Sequence, residues 1–142
     1  MVTPSTDAAA TLTGGCLCGA LRYRITPPLM DAAYCHCRMC QKASGAPAMP
    51  WVSVPVGQFL YTQGTPKAYR SSDWARREFC GACGSPLVFR YDDPTKPLDV
   101  AIPSLDDPAA VVPAYHIWRQ SRLPWFETTD ALPRHDAKGD DH

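Results

Sequence analysis

The sequence has no excess of charge of either sign. It contains 14 lysine and arginine residues against 14 aspartate and glutamate residues, so its formal net charge is zero. Domains that bind nucleic acid or an anionic membrane surface usually carry a basic surplus, because the phosphate groups must be neutralised. The composition therefore predicts neither a nucleic-acid partner nor a membrane partner.

Long apolar runs are missing as well. No stretch approaches the roughly 18 continuous apolar residues that a membrane-spanning helix requires, and residues 1–10 lack the basic start and the apolar stretch of a signal peptide. These absences predict a cytoplasmic protein. In such a reducing compartment, clustered cysteines are more often metal ligands than disulfides.

Few windows of the chain are free of proline. The 142 residues include 15 prolines, about twice the number expected from an average usage of roughly 5%. Because proline interrupts helices, the sequence predicts a single, mostly β domain with one or two short helical turns. The strands are expected at 20–25, 30–35, 49–54, 59–62, 67–71, 74–79, 87–91, 98–102 and 115–118, and a helical turn at 38–43.

The residues at the N-terminal end are small and polar, and those at the C-terminal end are polar. This composition predicts a folded domain that is shorter than the sequence. Residues 1–12 are expected to be a disordered N-terminal segment, and residues 13–132 to form the folded domain. Residues 133–142 are expected to be a polar tail that frays from Arg134 onward.

Several common catalytic arrangements do not stand out in the sequence: a glycine-rich phosphate loop, a Ser-His-Asp set or a pair of catalytic carboxylates. The sequence does contain seven cysteines in three groups. Their odd number and close spacing favour metal ligation over disulfide formation. The groups are Cys16 and Cys18, then Cys35, Cys37 and Cys40, then Cys80 and Cys83.

The outer two groups together have the composition of a closed metal site. Cys80 and Cys83 have the spacing of a zinc knuckle, which supplies two thiolates to one tetrahedral ion. Cys16 and Cys18 are the best candidates for the other two ligands, and zinc is favoured although iron also accepts four thiolates. The alternative is a redox pair, but a thioredoxin-like Cys-x-x-Cys requires a βαβ context that this strand-rich sequence does not offer.

Cys35, Cys37 and Cys40 then remain as a group of three. On an extended segment Cys35 and Cys37 point to the same side, and a helical turn can bring Cys40 back toward them. Three thiolates leave one position of a zinc ion open, where a substrate thiol can bind as a thiolate. Because a thiolate attacks a carbonyl well, the cluster predicts addition of a thiol to a small aldehyde. The alternative is a second structural zinc in a non-catalytic protein-binding module.

Histidines are the natural candidates for a fourth ligand in that alternative. Strand alternation points His36 away from the metal, toward a packing role or a contact behind the ligands. His116 could close the site, although a core histidine on a strand is the simpler interpretation, and His135 and His142 give no signal.

Four basic residues could neutralise thiolate charge or bind a substrate carboxylate, although solvated basic side chains are the usual case. These residues are Arg38, Lys42, Arg76 and Arg77.

The three cysteine motifs occur in a fixed order: Cys-x-Cys within 15–23, Cys-x-Cys-x-x-Cys within 35–45, and Cys-x-x-Cys within 79–87. Over residues 13–132 the chain resembles the glutathione-dependent formaldehyde-activating enzyme family, to which centromere protein V is related. The resemblance implies a β-tent of small antiparallel sheets with two Zn²⁺ ions per chain. It also implies a carbon–sulfur lyase that joins a small-molecule thiol, glutathione, to an aldehyde, formaldehyde, giving S-(hydroxymethyl)glutathione. By the same resemblance, the structural zinc has ligands Cys16, Cys18, Cys80 and Cys83, and the catalytic zinc has ligands Cys35, Cys37 and Cys40.

Overall fold

A computed structural model describes residues 10–138 of the chain. Most of the predicted disordered segment 1–12, and residues 139–142 of the predicted tail with His142, lie outside the described residues.

The mostly β fold with short helical turns is confirmed. Among residues 10–138, no helix has the length and apolar character needed to cross a membrane. The strands are β1 (Leu12–Gly15), β2 (Arg22–Ile25), β3 (Asp31–Cys35), β4 (Met49–Val54), β5 (Phe59–Gln63), β6 (Lys67–Arg70), β7 (Ala75–Phe79), β8 (Pro86–Tyr91), β9 (Leu98–Ala101) and β10 (Tyr115–Ile117), and the α-helix is α1 (Arg38–Ser44).

The strands form two sheets. A three-stranded antiparallel sheet has the order β1-β2-β5, and a seven-stranded sheet has the order β10-β3-β4-β9-β8-β7-β6. Within the larger sheet, β10 runs parallel to β3, whereas the other pairs are antiparallel. The sequence did not indicate this parallel pair, because residue alternation identifies a strand but not its partner.

The larger sheet has one apolar face that forms the main core. Alternating residues of its central strands are almost fully buried and belong to one cluster with residues of the small sheet. Burying each such side chain contributes roughly 1.5–3 kcal/mol, so this face holds the two sheets together. The cluster includes Val52, Val54, Val88, Leu98 and Val100 from the large sheet and Tyr23, Ile25 and Phe59 from the small one.

The helical turn predicted at 38–43 is confirmed as α1. Cys37 is its N-cap, and its Sγ atom accepts a hydrogen bond from the N–H of Cys40 at 3.3 Å. Gly45 ends the helix with a φ of 75°, a conformation that glycine adopts without strain, and its N–H donates to the carbonyl of Gln41 at 2.8 Å. The helix is therefore capped at both ends by residues beside the cysteine cluster.

The C-terminal segment 133–137 runs along β10 instead of fraying. The N–H of His116 donates to the carbonyl of Pro133 at 2.8 Å, and the N–H of His135 donates to the carbonyl of His116 at 2.9 Å. An edge strand offers unpaired backbone groups to any extended neighbour, and this segment satisfies those of β10. The fraying expected from Arg134 onward is therefore not observed as far as Ala137.

Candidate metal centres and active site

Cys16, Cys18, Cys80 and Cys83 form one cluster, here called the four-cysteine cluster. Their Sγ atoms all lie within 4.8 Å of one another. The Sγ of Cys18 is 3.6 Å from that of Cys16 and 3.8 Å from that of Cys80. A zinc tetrahedron with Zn–S bonds of about 2.3 Å has S···S edges of roughly 3.8 Å. The observed spacing therefore fits a tetrahedral ion held by four thiolates.

Backbone N–H groups point at the sulfurs of the four-cysteine cluster. The Sγ of Cys80 accepts hydrogen bonds from the N–H groups of Ala82 and Cys83, both at 3.4 Å. The Sγ of Cys16 accepts from the N–H of Leu21 at 3.2 Å. Such donors stabilise the thiolate form that metal binding requires, so both turns are arranged to present charged sulfur.

Cys35, Cys37 and Cys40 form a second group, here called the three-cysteine cluster. Cys35 ends β3, Cys37 caps α1, and Cys40 lies in the first turn of the helix, so the strand-to-helix transition brings the three Sγ atoms within 4.8 Å of one another. Hydrogen bonds from the Cys35 and Cys40 thiols lower the pKa of Cys37. Among residues 10–138, no histidine or carboxylate joins this group. The donor set fits an ion that has three protein thiolates.

The three-cysteine cluster opens into a cavity of about 870 Å³. The floor is the second face of the seven-stranded sheet, where alternate residues of β3 and their β4 partners point into the space. Helix α1 and the segment after β10 form the walls. Of the described residues that line the cavity, none belongs to the four-cysteine cluster. Of the two clusters, only the three-cysteine cluster therefore borders this cavity.

One row of side chains crosses the cavity floor perpendicular to the strands. The register pairs Asp31 with Ser53, Ser53 with Asp99, Asp99 with Phe89, and Phe89 with Arg77. The Ser53 hydroxyl donates to the Asp99 carboxylate. The row is therefore acidic at its β3 end and basic at its β7 end.

The structure separates the four basic residues that the sequence singled out. Arg38 and Arg77 line the cavity, whereas Lys42 is exposed on α1. Arg76 is the sequence neighbour of Arg77, but strand alternation turns it to the opposite face, where it pairs with the buried Glu78 at 3.5 Å. Only two of the four side chains can thus contact a molecule in the cavity.

Gln41 is a buried residue of α1 whose structural role the sequence did not predict. Its side-chain amide donates to the carbonyls of His36 at 2.8 Å, Ser121 at 3.1 Å and Pro47 at 3.3 Å. Its carbonyl oxygen accepts from the Arg38 guanidinium at 2.6 Å. Gln41 therefore joins α1 to two loops and orients a cavity arginine. The signal available in the sequence was only its position three residues after Arg38 on a short helix.

His36 packs behind the cysteines, as its position between Cys35 and Cys37 predicts. Its Nε2 atom is 2.9 Å from Nδ1 of His116, whose Nε2 is 3.0 Å from the Asp130 carboxylate. Burial lowers the pKa of His36 to about 4 and also lowers that of His116, so both rings are neutral at pH 7. With Asp130 as acceptor, His116 carries its hydrogen on Nε2 and accepts at Nδ1 from His36.

Comparison with known proteins agrees with the motifs in the sequence. A family model described as glutathione-dependent formaldehyde-activating enzyme matches residues 11–121. An uncharacterized lyase of Schizosaccharomyces pombe is 30% identical to this chain over 84 residues. The match covers 59% of this chain and 61% of that protein, so it spans about three fifths of that relative's length. The crystal structure of a Rhodobacter sphaeroides protein superposes on 67% of this chain and 88% of that one with a TM-score of 0.56. The two sequences are 22% identical, so the similarity is one of fold.

Proposed function

Because the chain belongs to the glutathione-dependent formaldehyde-activating enzyme family, we propose that it is a zinc-dependent lyase that forms a carbon–sulfur bond. Its substrates are a glutathione-like thiol and formaldehyde or another small aldehyde. The observation that carries this proposal is the opening of the three-cysteine cluster, and not of the four-cysteine cluster, into the 870 Å³ cavity. A catalytic zinc keeps one position free for a ligand, whereas a structural zinc is enclosed by four protein ligands.

The two clusters take different roles in this proposal. The structural ion would have ligands Cys16, Cys18, Cys80 and Cys83, and the ion at the cavity would have ligands Cys35, Cys37 and Cys40. When bound there, zinc supplies a position at which a thiol loses its proton and is held as a thiolate.

The cavity has the size and the lining for such a pair of substrates. Ligand pockets of roughly 300–1,000 Å³ hold molecules of tripeptide size, and this one measures about 870 Å³. Trp51, Phe89 and Ile117 make the space beside the cysteines largely apolar. Apolar walls exclude water and strengthen the electrostatic contacts made inside, so a thiolate bound to a cation there would be held more tightly than in water.

The reaction balances without a further reagent. The thiol sulfur forms a bond to the carbonyl carbon, and the electron pair of the carbon–oxygen π bond moves to the oxygen. The proton released by the thiol passes through water to that oxygen, so the product is a hemithioacetal. The chain's part in this step is to hold both reactants within about 3–3.5 Å of each other in the productive orientation.

The test is to load the protein with zinc, verify the zinc content by mass spectrometry, and add glutathione and ¹³C-formaldehyde. Exchange between free formaldehyde and the adduct is then measured by NMR. We expect faster exchange than in buffer, and no acceleration with two zinc ions bound would refute the proposal. X-ray absorption provides a second measurement: three sulfurs and one oxygen at half of the zinc support an open site, whereas three sulfurs and one imidazole nitrogen would favour the non-catalytic protein-binding module.

A further inference from the structure

Arg77 places a guanidinium at the three-cysteine cluster. Its Nη2 atom lies 3.6 Å from the Sγ of Cys40. Its Cζ atom is 5.2 Å from the ring centre of Phe89 and 5.9 Å from that of Trp51. These cation–π contacts orient the guanidinium, and all four residues line the cavity. A long basic side chain is thereby held in one position beside the sulfurs.

The Arg77 guanidinium has unused hydrogen-bonding capacity. Its Nε atom is buried and has no hydrogen-bond partner among the described residues. A buried donor without a partner costs roughly 1–3 kcal/mol, a cost that the packing around this guanidinium has to offset. Arg76, one residue away on the other face of β7, differs because it already contacts the Glu78 carboxylate.

The reaction proposed above creates a negative charge close to this guanidinium. While the carbon–sulfur bond forms, the aldehyde oxygen changes from a neutral carbonyl to an alkoxide. A hydrogen bond from a charged donor to an anion is shorter and roughly twice as strong as one between neutral groups. A donor fixed beside that oxygen before the reaction therefore stabilises the transition state more than the ground state.

We infer that Arg77 is a catalytic residue, whose guanidinium binds the oxygen of the reacting aldehyde and stabilises the alkoxide that forms there. This inference rests on the proposed function, since it concerns the electrophile of that reaction. The 3.6 Å contact with the Cys40 sulfur places the guanidinium beside the cluster at which the thiol would be held, which is where the reacting aldehyde has to approach. A carboxylate of the thiol substrate is a less suitable partner, because in glutathione each carboxylate lies several bonds from the sulfur.

The test compares two substitutions at this position. Arg77→Met removes the charge and the donors but keeps much of the side-chain volume, and Arg77→Lys keeps the charge. We expect kcat to fall by roughly 10²–10³-fold in Arg77→Met, the range found when one oxyanion donor is removed, and to be partly restored in Arg77→Lys. The KM for the thiol should change little. Arg76→Met is the matched control, and its activity should stay within about threefold of the wild type.

A comparison of two thiol substrates distinguishes this inference from the alternative that Arg77 binds a carboxylate of the thiol substrate. The kcat loss in Arg77→Met should be equal with glutathione and with 2-mercaptoethanol, which has no carboxylate. A loss confined to KM and to glutathione would overturn the inference and assign Arg77 to a substrate carboxylate. Unchanged kcat in Arg77→Met with an active wild type would overturn the inference alone, whereas an inactive wild type would overturn the proposed function and the inference together.

A measurement that does not depend on turnover completes the test. The zinc at the three-cysteine cluster can be replaced by cobalt, whose visible absorption reports thiolate ligation. We expect Arg77→Met to bind two metal ions per chain and to bind glutathione with a Kd within about threefold of the wild type. Loss of metal or of thiol binding in this variant would instead make Arg77 a structural residue and would overturn the inference.

Discussion

Replacing His116 with alanine is expected to destabilise the protein by about 4 kcal/mol, a large part of the 5–15 kcal/mol that holds a typical domain folded. The imidazole of His116 is fully buried at 0% exposure and lies between His36 and Asp130. The substitution therefore removes the side-chain link that runs from His36 through His116 to Asp130, while the backbone hydrogen bonds of β10 remain.

The magnitude follows from the contacts that are lost. The hydrogen bond from His116 to the ionised Asp130 contributes roughly 1.5–3 kcal/mol. The stacked contact with Tyr34, whose ring centre is 4.9 Å away, adds about 0.5–1.5 kcal/mol. The Nε2 group of His36 is left buried without a partner, which costs a further 1–3 kcal/mol or so.

The assay is urea unfolding of the zinc-loaded protein at pH 7, followed by tryptophan fluorescence. Asp130→Asn should cost less than His116→Ala, about 1–2 kcal/mol, because an amide oxygen still accepts a weaker hydrogen bond at this partly exposed position. His135→Ala is the control, since this histidine is only partly buried, and it should cost less than about 1 kcal/mol. A cost below about 1.5 kcal/mol for His116→Ala, or one equal to that of His135→Ala, would refute the reasoning.

Two further predictions concern the metal sites and the backbone. Cys83→Ser should leave the domain largely unfolded by circular dichroism, because structural zinc contributes on the order of 10–16 kcal/mol. Cys40→Ser should remain folded and lose activity by at least about 100-fold. Equal unfolding of the two variants would mean that both sites are structural. Gly64→Ala should cost about 3 kcal/mol in urea unfolding, because φ is 77° and the added Cβ would collide with the carbonyl oxygen of Ala20. Gly45→Ala, with φ of 75° but open space around the added Cβ, should cost only about 1 kcal/mol, and equal costs would contradict the collision.

The grouping of the cysteines was accessible from the sequence for a physical reason. Ligands of one small ion must approach within a few ångströms, so short spacings such as Cys80 to Cys83 restrict the geometry before any tertiary structure is known. The side to which His36 points followed in the same way, from strand alternation next to Cys35. The helix α1 was also predictable, since its length and its end at Gly45 depend on local backbone preferences.

Arg76 and Arg77 illustrate what local patterns could not decide. Alternation predicts that the two side chains point to opposite faces of β7, but it does not say which face borders a cavity. Asp130 and the pairing of 133–137 with β10 were missed for a related reason. Both depend on contacts between segments that are far apart in the chain or have no periodic pattern, and no short-range preference encodes such contacts.

The sequence by itself determined the strand-rich class and the grouping and order of the seven cysteines, because these depend on composition, alternation and short spacings. Only the tertiary structure decided that the three-cysteine cluster borders the 870 Å³ cavity and that the four-cysteine cluster is not part of its lining. It also decided that Arg77, and not Arg76, lies against a cluster sulfur. The physical reason is that both facts depend on which segments pack side by side. Segments that are distant in the chain become neighbours only when the sheets form and the strand order is set.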